Sequence, residues 1–331
     1  MNELDPQLTG YLHPAYAESL AEFGVPYELP GSRGWILKRQ IPGCNKQDAI
    51  GSYPLFHCQD WSKLRADLNE LSDELVSLSL VTFPFGSYDL AYLQSCFPDV
   101  LFPFKEHFVT DLSQPTEDLV HPHHQRNARR ALRELNIETC ENPSMFLDDW
   151  NALYQLLVHR HRITGISVFS EKSFRRQFEV PGFKAFRASR DGLTVGMLLW
   201  YLHGNVASYH LGAYSERGYE LKASFGLFSR AVDYFKQSGL QWLHLGSAAG
   251  IGPVSESGLS RFKSGWATGS LTAYFCGRIF DQARYDELTR VTKLVEPTQY
   301  FPAYRAGEIV TSGTEENVSR VKATKRDITA C

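Results

Sequence analysis

The chain has 331 residues and a mass of 37.5 kDa, room for two ordinary domains at roughly 150 residues each. Apolar residues make up 43% and charged residues 21%, with 21 Phe, 16 Tyr and 6 Trp, which excludes a disordered chain or a small disulfide scaffold. The balance of 34 basic and 37 acidic residues, net charge −3, excludes a globally basic nucleic-acid binder but permits a local basic patch.

The first residues are acidic and polar, without the basic and apolar regions of a signal peptide, and residues 1–32 read as an irregular lead-in. Six cysteines (Cys44, Cys58, Cys96, Cys140, Cys276, Cys331) form no C-x-x-C pair, which predicts reduced thiols in a cytoplasmic protein, the inner membrane surface included. From Arg33 to Val120, strand-like and helix-like stretches alternate. Trp61, Leu64, Leu68, Leu71 and Leu75 recur at helical spacing behind Asp60, a helix N-cap, and residues 76–83 then alternate as a half-buried strand.

Residues 127–135 read as a helix with Arg126, Arg129, Arg130 and Arg133 on or beside it, followed by a short strand at 137–140 and an amphipathic helix at 146–159. The strongest sheet signal covers three strands, 183–189, 193–202 and 206–214, joined by the turn dipeptides Asp191-Gly192 and Gly204-Asn205. The apolar run 197–202 within them is far too short to cross a bilayer, so no integral membrane segment is expected. A helix at 221–237 ends at Gly239, and a short strand at 242–245 enters a glycine- and serine-rich loop, 246–258. A last strand covers 270–276, and the polar tail beyond 307 reads as loosely held. Antiparallel strands with few intervening helices make an α+β fold with a mixed, mainly antiparallel sheet, not a doubly wound parallel one.

Motifs for phosphate-binding loops, dinucleotide folds, serine hydrolases and zincins are absent. His121, His123 and His124 stand beside the basic stretch without acidic ligands at matching spacing, which favours hydrogen-bonded or solvated histidines; no metal is expected. The arginines at 126–133, with Arg160, Arg162, Lys172, Arg175 and Arg176, form either a solvated face or a docking surface for phosphates. His57-Cys58, adjacent and diverging on a strand, is poor geometry for a cysteine nucleophile. Tyr209 and His210 also point to opposite faces of their strand, leaving open whether either works chemically.

The stretch from Tyr209 to Trp266 runs strand, polar turn, helix ending at Gly239, short strand ending at Gly246, loop, then Arg261-Phe262-Lys263-Ser264-Gly265-Trp266. Upstream, residues 126–141 run as a basic helix and a strand. This order resembles the Fem-type, peptidoglycan aminoacyltransferase-like branch of the GNAT N-acyltransferase superfamily, over about residues 120–280. The resemblance implies tandem GNAT-like domains, divided here as 1–140, 141–306 with the active site, and the tail 307–331. It implies transfer of an acyl or aminoacyl group to an amine on a cell-envelope precursor, amino sugar or amino-acid derivative. The donor is an acyl-CoA, another acyl thioester or an aminoacyl-tRNA, as co-substrate, with no tightly bound cofactor; tRNA is therefore a further partner. A pyrophosphate-binding loop of the Q/R-x-x-G-x-G/A type is missing; residues 215–219 stand in its place. The resemblance points to Lys263 as the charge at the reacting carbonyl, to Tyr209 and His210 as further catalytic groups, and to Phe262, Trp266, Gly246 and Tyr214 as substrate-binding residues. Arg162, on the basic stretch entering the second domain, is the candidate for holding an acceptor phosphate. The alternative is a non-catalytic binding module for RNA or an anionic headgroup.

Overall fold

The structure, a computed structural model, describes residues 8–115, 119–247, 258–291 and 300–306. Eleven strands are placed in chain order: β1 (Val25–Glu28), β2 (Trp35–Gln40), β3 (Gln47–Gly51), β4 (Leu75–Val81), β5 (Val100–Asp111), β6 (Asn136–Thr139), β7 (Phe183–Arg190), β8 (Leu193–His203), β9 (Val206–Tyr214), β10 (Trp242–Ser247) and β11 (Gly269–Ile279). They form one sheet in the order β1-β2-β3-β4-β11-β5-β10-β9-β8-β7-β6. Among the described strands, only β3 with β4 and β9 with β10 pair in parallel. Each parallel pair closes a strand–helix–strand crossover, through α2 (Leu64–Glu70) in the first half, and through α7 (Glu216–Glu220) and α8 (Ala223–Gln237) in the second. The two halves are joined edge to edge because β11, late in the chain, inserts between β4 and β5. The sheet is thus mixed, mostly antiparallel and flanked by helices.

On one face of the second half, α4 (Pro122–Glu134) and α8 bury Ala128, Ala131, Phe228 and Phe235 against Trp200 and Leu243. The other face is covered by α1 (Pro14–Ser19), α5 (Leu147–His161) and α6 (Glu171–Gln177), with Tyr16, Trp150 and Phe174 against Met197 and Leu199. Apolar burial of this kind contributes roughly 25 cal/mol per Å² of surface removed from water, and it locks the helices to the sheet.

Asp191 and Gly192 both take positive φ (51° and 81°), the backbone a two-residue hairpin turn needs, so that signal reports a real turn. Four local expectations are corrected. Residues 1–32 are not irregular throughout, since α1 and the edge strand β1 lie in them. The helix behind Asp60 starts as a 3₁₀ turn and stops at Glu70, well before Leu75; Asp60 does cap it, accepting from Ser62 N at 2.9 Å. The strand that follows is buried on both faces, because Ser77 is covered and hydrogen-bonds the Tyr304 hydroxyl at 2.8 Å. The helix expected from residue 221 is broken at Lys222, whose φ of 58° separates α7 from α8. The tail beyond 307 lies outside the described residues, as do residues 248–257 of the glycine-rich loop.

Candidate active site where two parallel strands part

The β9–β10 ladder runs Val206↔Trp242, Ala207↔Leu243, Ser208↔His244 and ends there. Beyond it β9 stays with β8, while β10 follows β5, with an irregularity between His244 and Gly246. A wedge therefore opens between residues 209–214 of one strand and Gly246–Ser247 of the other. Gly246 adopts φ 72°, a conformation that favours glycine.

Lys263, on α9 (Gly258–Ser264), sits at this wedge and is buried, with 6% of its surface exposed. Its Nζ donates to the Ser247 carbonyl at 2.7 Å and lies 5.4 Å from the centre of the Tyr209 ring. A Cβ on Gly246 would stand 3.3 Å from that nitrogen, so the bare glycine makes room for the amine. Burial, and then the charge of Lys105, push the Lys263 ammonium down to about 7, so that both protonation states are populated at neutral pH.

Two tyrosines share the wedge through a bulge. Leu199 pairs with Leu211 but Trp200 with Tyr209, leaving His210 as an extra residue in β9. That extra residue shifts the alternation, so Tyr209 and Tyr214, five positions apart, reach the same face. Both hydroxyls converge over Gly212, where a Cβ would lie 2.5 Å from the Tyr209 oxygen and 3.1 Å from that of Tyr214. Burial pushes both phenols up, so they remain hydroxyl donors. Tyr219 extends the row, 5.4 Å from Tyr214, and carries the Arg160 guanidinium over its ring at 4.2 Å.

On the adjoining strands, His107 Nδ1 and His244 Nε2 share a hydrogen bond of 2.7 Å, and His244 Nδ1 stands 3.2 Å from Ser208 Oγ. Burial holds both imidazoles neutral, His107 down to about 3, and the Lys263 charge adds to the effect on each. Sequence reasoning did not single out His107, His244, Ser208 or Gly212. A polar histidine within the otherwise apolar run of β10 was the available signal.

The other expected residues are placed differently. His210 lies on the opposite face of β9, buried among Tyr11, Tyr16, Tyr201 and Phe169. Gln177 donates through its nitrogen to Ser173, so its oxygen accepts from His210 Nε2 (3.1 Å), and Nδ1 then accepts from the Tyr11 hydroxyl (3.0 Å). His210 is fully partnered and does not meet Lys263. Phe262 and Trp266 pack behind the amine against Phe225 and Phe228, as a support rather than a wall of the wedge. Arg162 ends α5 in a left-handed conformation (φ 48°), exposed, while Arg160 is the arginine that reaches the tyrosine row. His124 is buried against Phe225, Phe262 and Trp266, and its Nε2 donates to the Phe262 carbonyl at 2.9 Å. Cys58 is buried with its thiol pushed up by that burial, which gives a cysteine nucleophile no support. Among the described residues no cluster of His, Cys, Asp or Glu could hold a metal, and no helix is long and apolar enough to cross a membrane.

A meander leading through a helix to a parallel strand that parts from its neighbour defines a GNAT-type fold. The acetyltransferase (GNAT) domain family matches residues 123–264, a stretch that contains the wedge and Lys263. The whole fold is similar to that of FemX, with a TM-score of 0.60 at 12% identity, covering 82% of this chain and 92% of that one. It is also similar to L-PGS from Bacillus licheniformis, with a TM-score of 0.55 at 15% identity over 88% of this chain and 97% of that one. The DUF2156 C-terminal domain of an Agrobacterium fabrum protein described as a lysylphosphatidylglycerol synthetase gives 0.55 at 14% identity, covering 81% and 88%. At such identities the likeness is one of fold, and it bears out the GNAT-like fold that the resemblance over residues 120–280 implies. No curated protein matches the chain in sequence.

Proposed function

We propose that this protein is an N-acyltransferase that joins an acyl or aminoacyl group to an amine in the wedge between β9 and β10, within the second of two GNAT-like units. The observation that carries the reading is a buried lysine with no carboxylate partner among the described residues, placed where two strand edges are left facing each other. An extended amide-bearing arm of the donor can add to those edges as a peptide adds to a sheet. Protonated Lys263 then stabilises the oxyanion that forms as the amine attacks, and the Tyr209 and Tyr214 hydroxyls orient the reacting groups. Where Lys263 starts neutral, it accepts the proton the attacking amine loses and becomes that ammonium. As the oxyanion collapses, the C–S or C–O bond to the donor breaks and the proton passes to the departing sulfur or ribose oxygen. The donor is an acyl thioester or an aminoacyl-tRNA; the acceptor is an amine on an envelope precursor, amino sugar or amino-acid derivative.

A second reading has its own observation. Arg126, Arg130 and Arg133 are exposed on α4 without an ion pair among the described residues. This favours a binding module that holds RNA or an anionic headgroup. Thermal-shift titration with coenzyme A, acyl thioesters, charged tRNA and uncharged tRNA separates the two, because a ligand of the native state raises the melting temperature. A shift with an acyl thioester, or with charged but not uncharged tRNA, supports the transferase. An equal shift with both tRNAs, abolished by charge reversal on α4 and accompanied by no transfer, supports the module and overturns the enzyme.

A further inference from the structure

We infer that a cleft separate from the Lys263 wedge binds an uncharged, polyhydroxylated ring of the pyranose type. The cleft, about 440 Å³, lies where the N-terminal segment at Leu12, the first half of the chain and the second half meet. Junctions of this kind are preferred places for small-molecule sites. Its floor is Trp61 and Phe83, both buried, with the His57 ring stacked on Phe83 at 4.5 Å and His203 set edgewise to His57 at 4.3 Å. Phe85 and Trp242, half-buried, form a wall with ring centres 5.8 Å apart, and Gln59, Ser87 and Asn205 stand exposed at the rim.

Three features select the ligand. None of the lining residues is an acid, a lysine or an arginine, and burial pushes both His57 and His203 down toward the neutral form. A charged ligand would lose its water there without gaining a counter-charge. At least one ring nitrogen of His57, Nδ1 of His203 and the indole N–H of Trp61 are buried with no hydrogen-bond partner among the described residues. Such groups are nearly always satisfied in native proteins, so the cleft has both donors and acceptors left for a ligand. Finally, Phe85 and Trp242 are tilted 55° to one another, which suits the C–H faces of a puckered ring better than a flat base sandwiched between parallel planes. Access of ligand hydroxyls to the buried nitrogens requires the half-buried His203 ring to turn outward.

The cleft adjoins the wedge, since Phe83 and Phe85 also pack on His244 at 5.5 and 6.0 Å. The inference stands apart from the transferase reading, because it concerns binding and not turnover. The test is titration of the full chain with methyl glucoside and N-acetylglucosamine, and in parallel with adenosine and inorganic phosphate, followed by tryptophan fluorescence and NMR saturation transfer. The expected result is saturable millimolar binding of at least one sugar, no response to adenosine or phosphate, and about tenfold weaker sugar binding in Phe85→Ala and His203→Ala. Asn205→Asp, on an exposed turn where folding is not at risk, brings a charge to the rim and also weakens binding. Lys263→Met binds sugar like the parent. Absence of saturable sugar binding, sugar binding indifferent to all three cleft variants, or saturable binding of adenosine or phosphate overturns the assignment.

Discussion

The two faces of β9 around its bulge carry two buried polar clusters that differ in one respect. On one face His210 sits among tyrosines with both ring nitrogens engaged, by Tyr11 and Gln177. On the other, the amine of Lys263 donates to the Ser247 carbonyl and lies where the strands separate. Burial lowers the pKa of His210 and Lys263 alike. A shifted pKa therefore does not distinguish a packed core from a working site. What distinguishes them is whether each polar group already has its partners and whether the backbone beside it is left open.

The comparison is tested most severely by removing the amine. Lys263→Met keeps the stem and removes the charge, and is expected to lower transfer on the order of 100-fold or more, read as kcat with the donor the thermal-shift screen identifies. The folded pKa of Lys263 lies below its unfolded value, so its cation destabilises the fold. This penalty grows as pH falls from 10.5 to about 7 and is constant below. Lys263→Met is accordingly expected to melt above the parent at pH 7, with the gap closing toward pH 10.5. Retained turnover, or a variant that melts lower at pH 7, breaks the contrast between the two faces.

Acid acts on both clusters. His107 and His210 are each pushed down to about 3 by burial, so the unfolded chain takes up protons below pH 6.5 while the folded chain does not. Stability is therefore lost as pH falls through the range from 6.5 toward 3, by about 2 kcal/mol per histidine at pH 5. Urea denaturation at pH 7 and pH 5 measures the loss, and His107→Asn and His210→Asn should each reduce it by one such increment.

Tyr11→Phe leaves the buried Nδ1 of His210 without its donor and is expected to cost about 1–2 kcal/mol with transfer unchanged, which denaturation and kinetics on the same sample will show. Lost turnover there would make the His210 face part of the machinery. The smallest effect is expected from Gly246→Ala, which strains a left-handed backbone by about 1 kcal/mol and crowds the Lys263 nitrogen. A pH–rate profile displaced relative to the parent is the sign that the crowding reaches the amine.

Much of the second half was legible in the chain. The hairpins at Asp191-Gly192 and Gly204-Asn205, the helix ending at Gly239 and the adjacency of Phe262 and Lys263 are local features, encoded by turn chemistry and by periodicities of two and 3.6. Lys263 and Tyr209 came forward through the family resemblance, which brought His210 forward beside them although the bulge sends it to the opposite face. Other features depended on distant parts of the chain. Strict alternation puts Tyr209 and Tyr214 on opposite faces, and only the bulge at His210, defined by pairing with β8, brings them together. His107 meets His244 across 137 residues, and β11 inserts between β4 and β5, pairings that no window of neighbouring residues contains. Whether Lys263 would be a solvated surface lysine or a buried amine with its pKa near neutrality was likewise decided by tertiary structure. Desolvation depends on what packs around a group, and here that is a wedge assembled from β5, β9, β10 and α9.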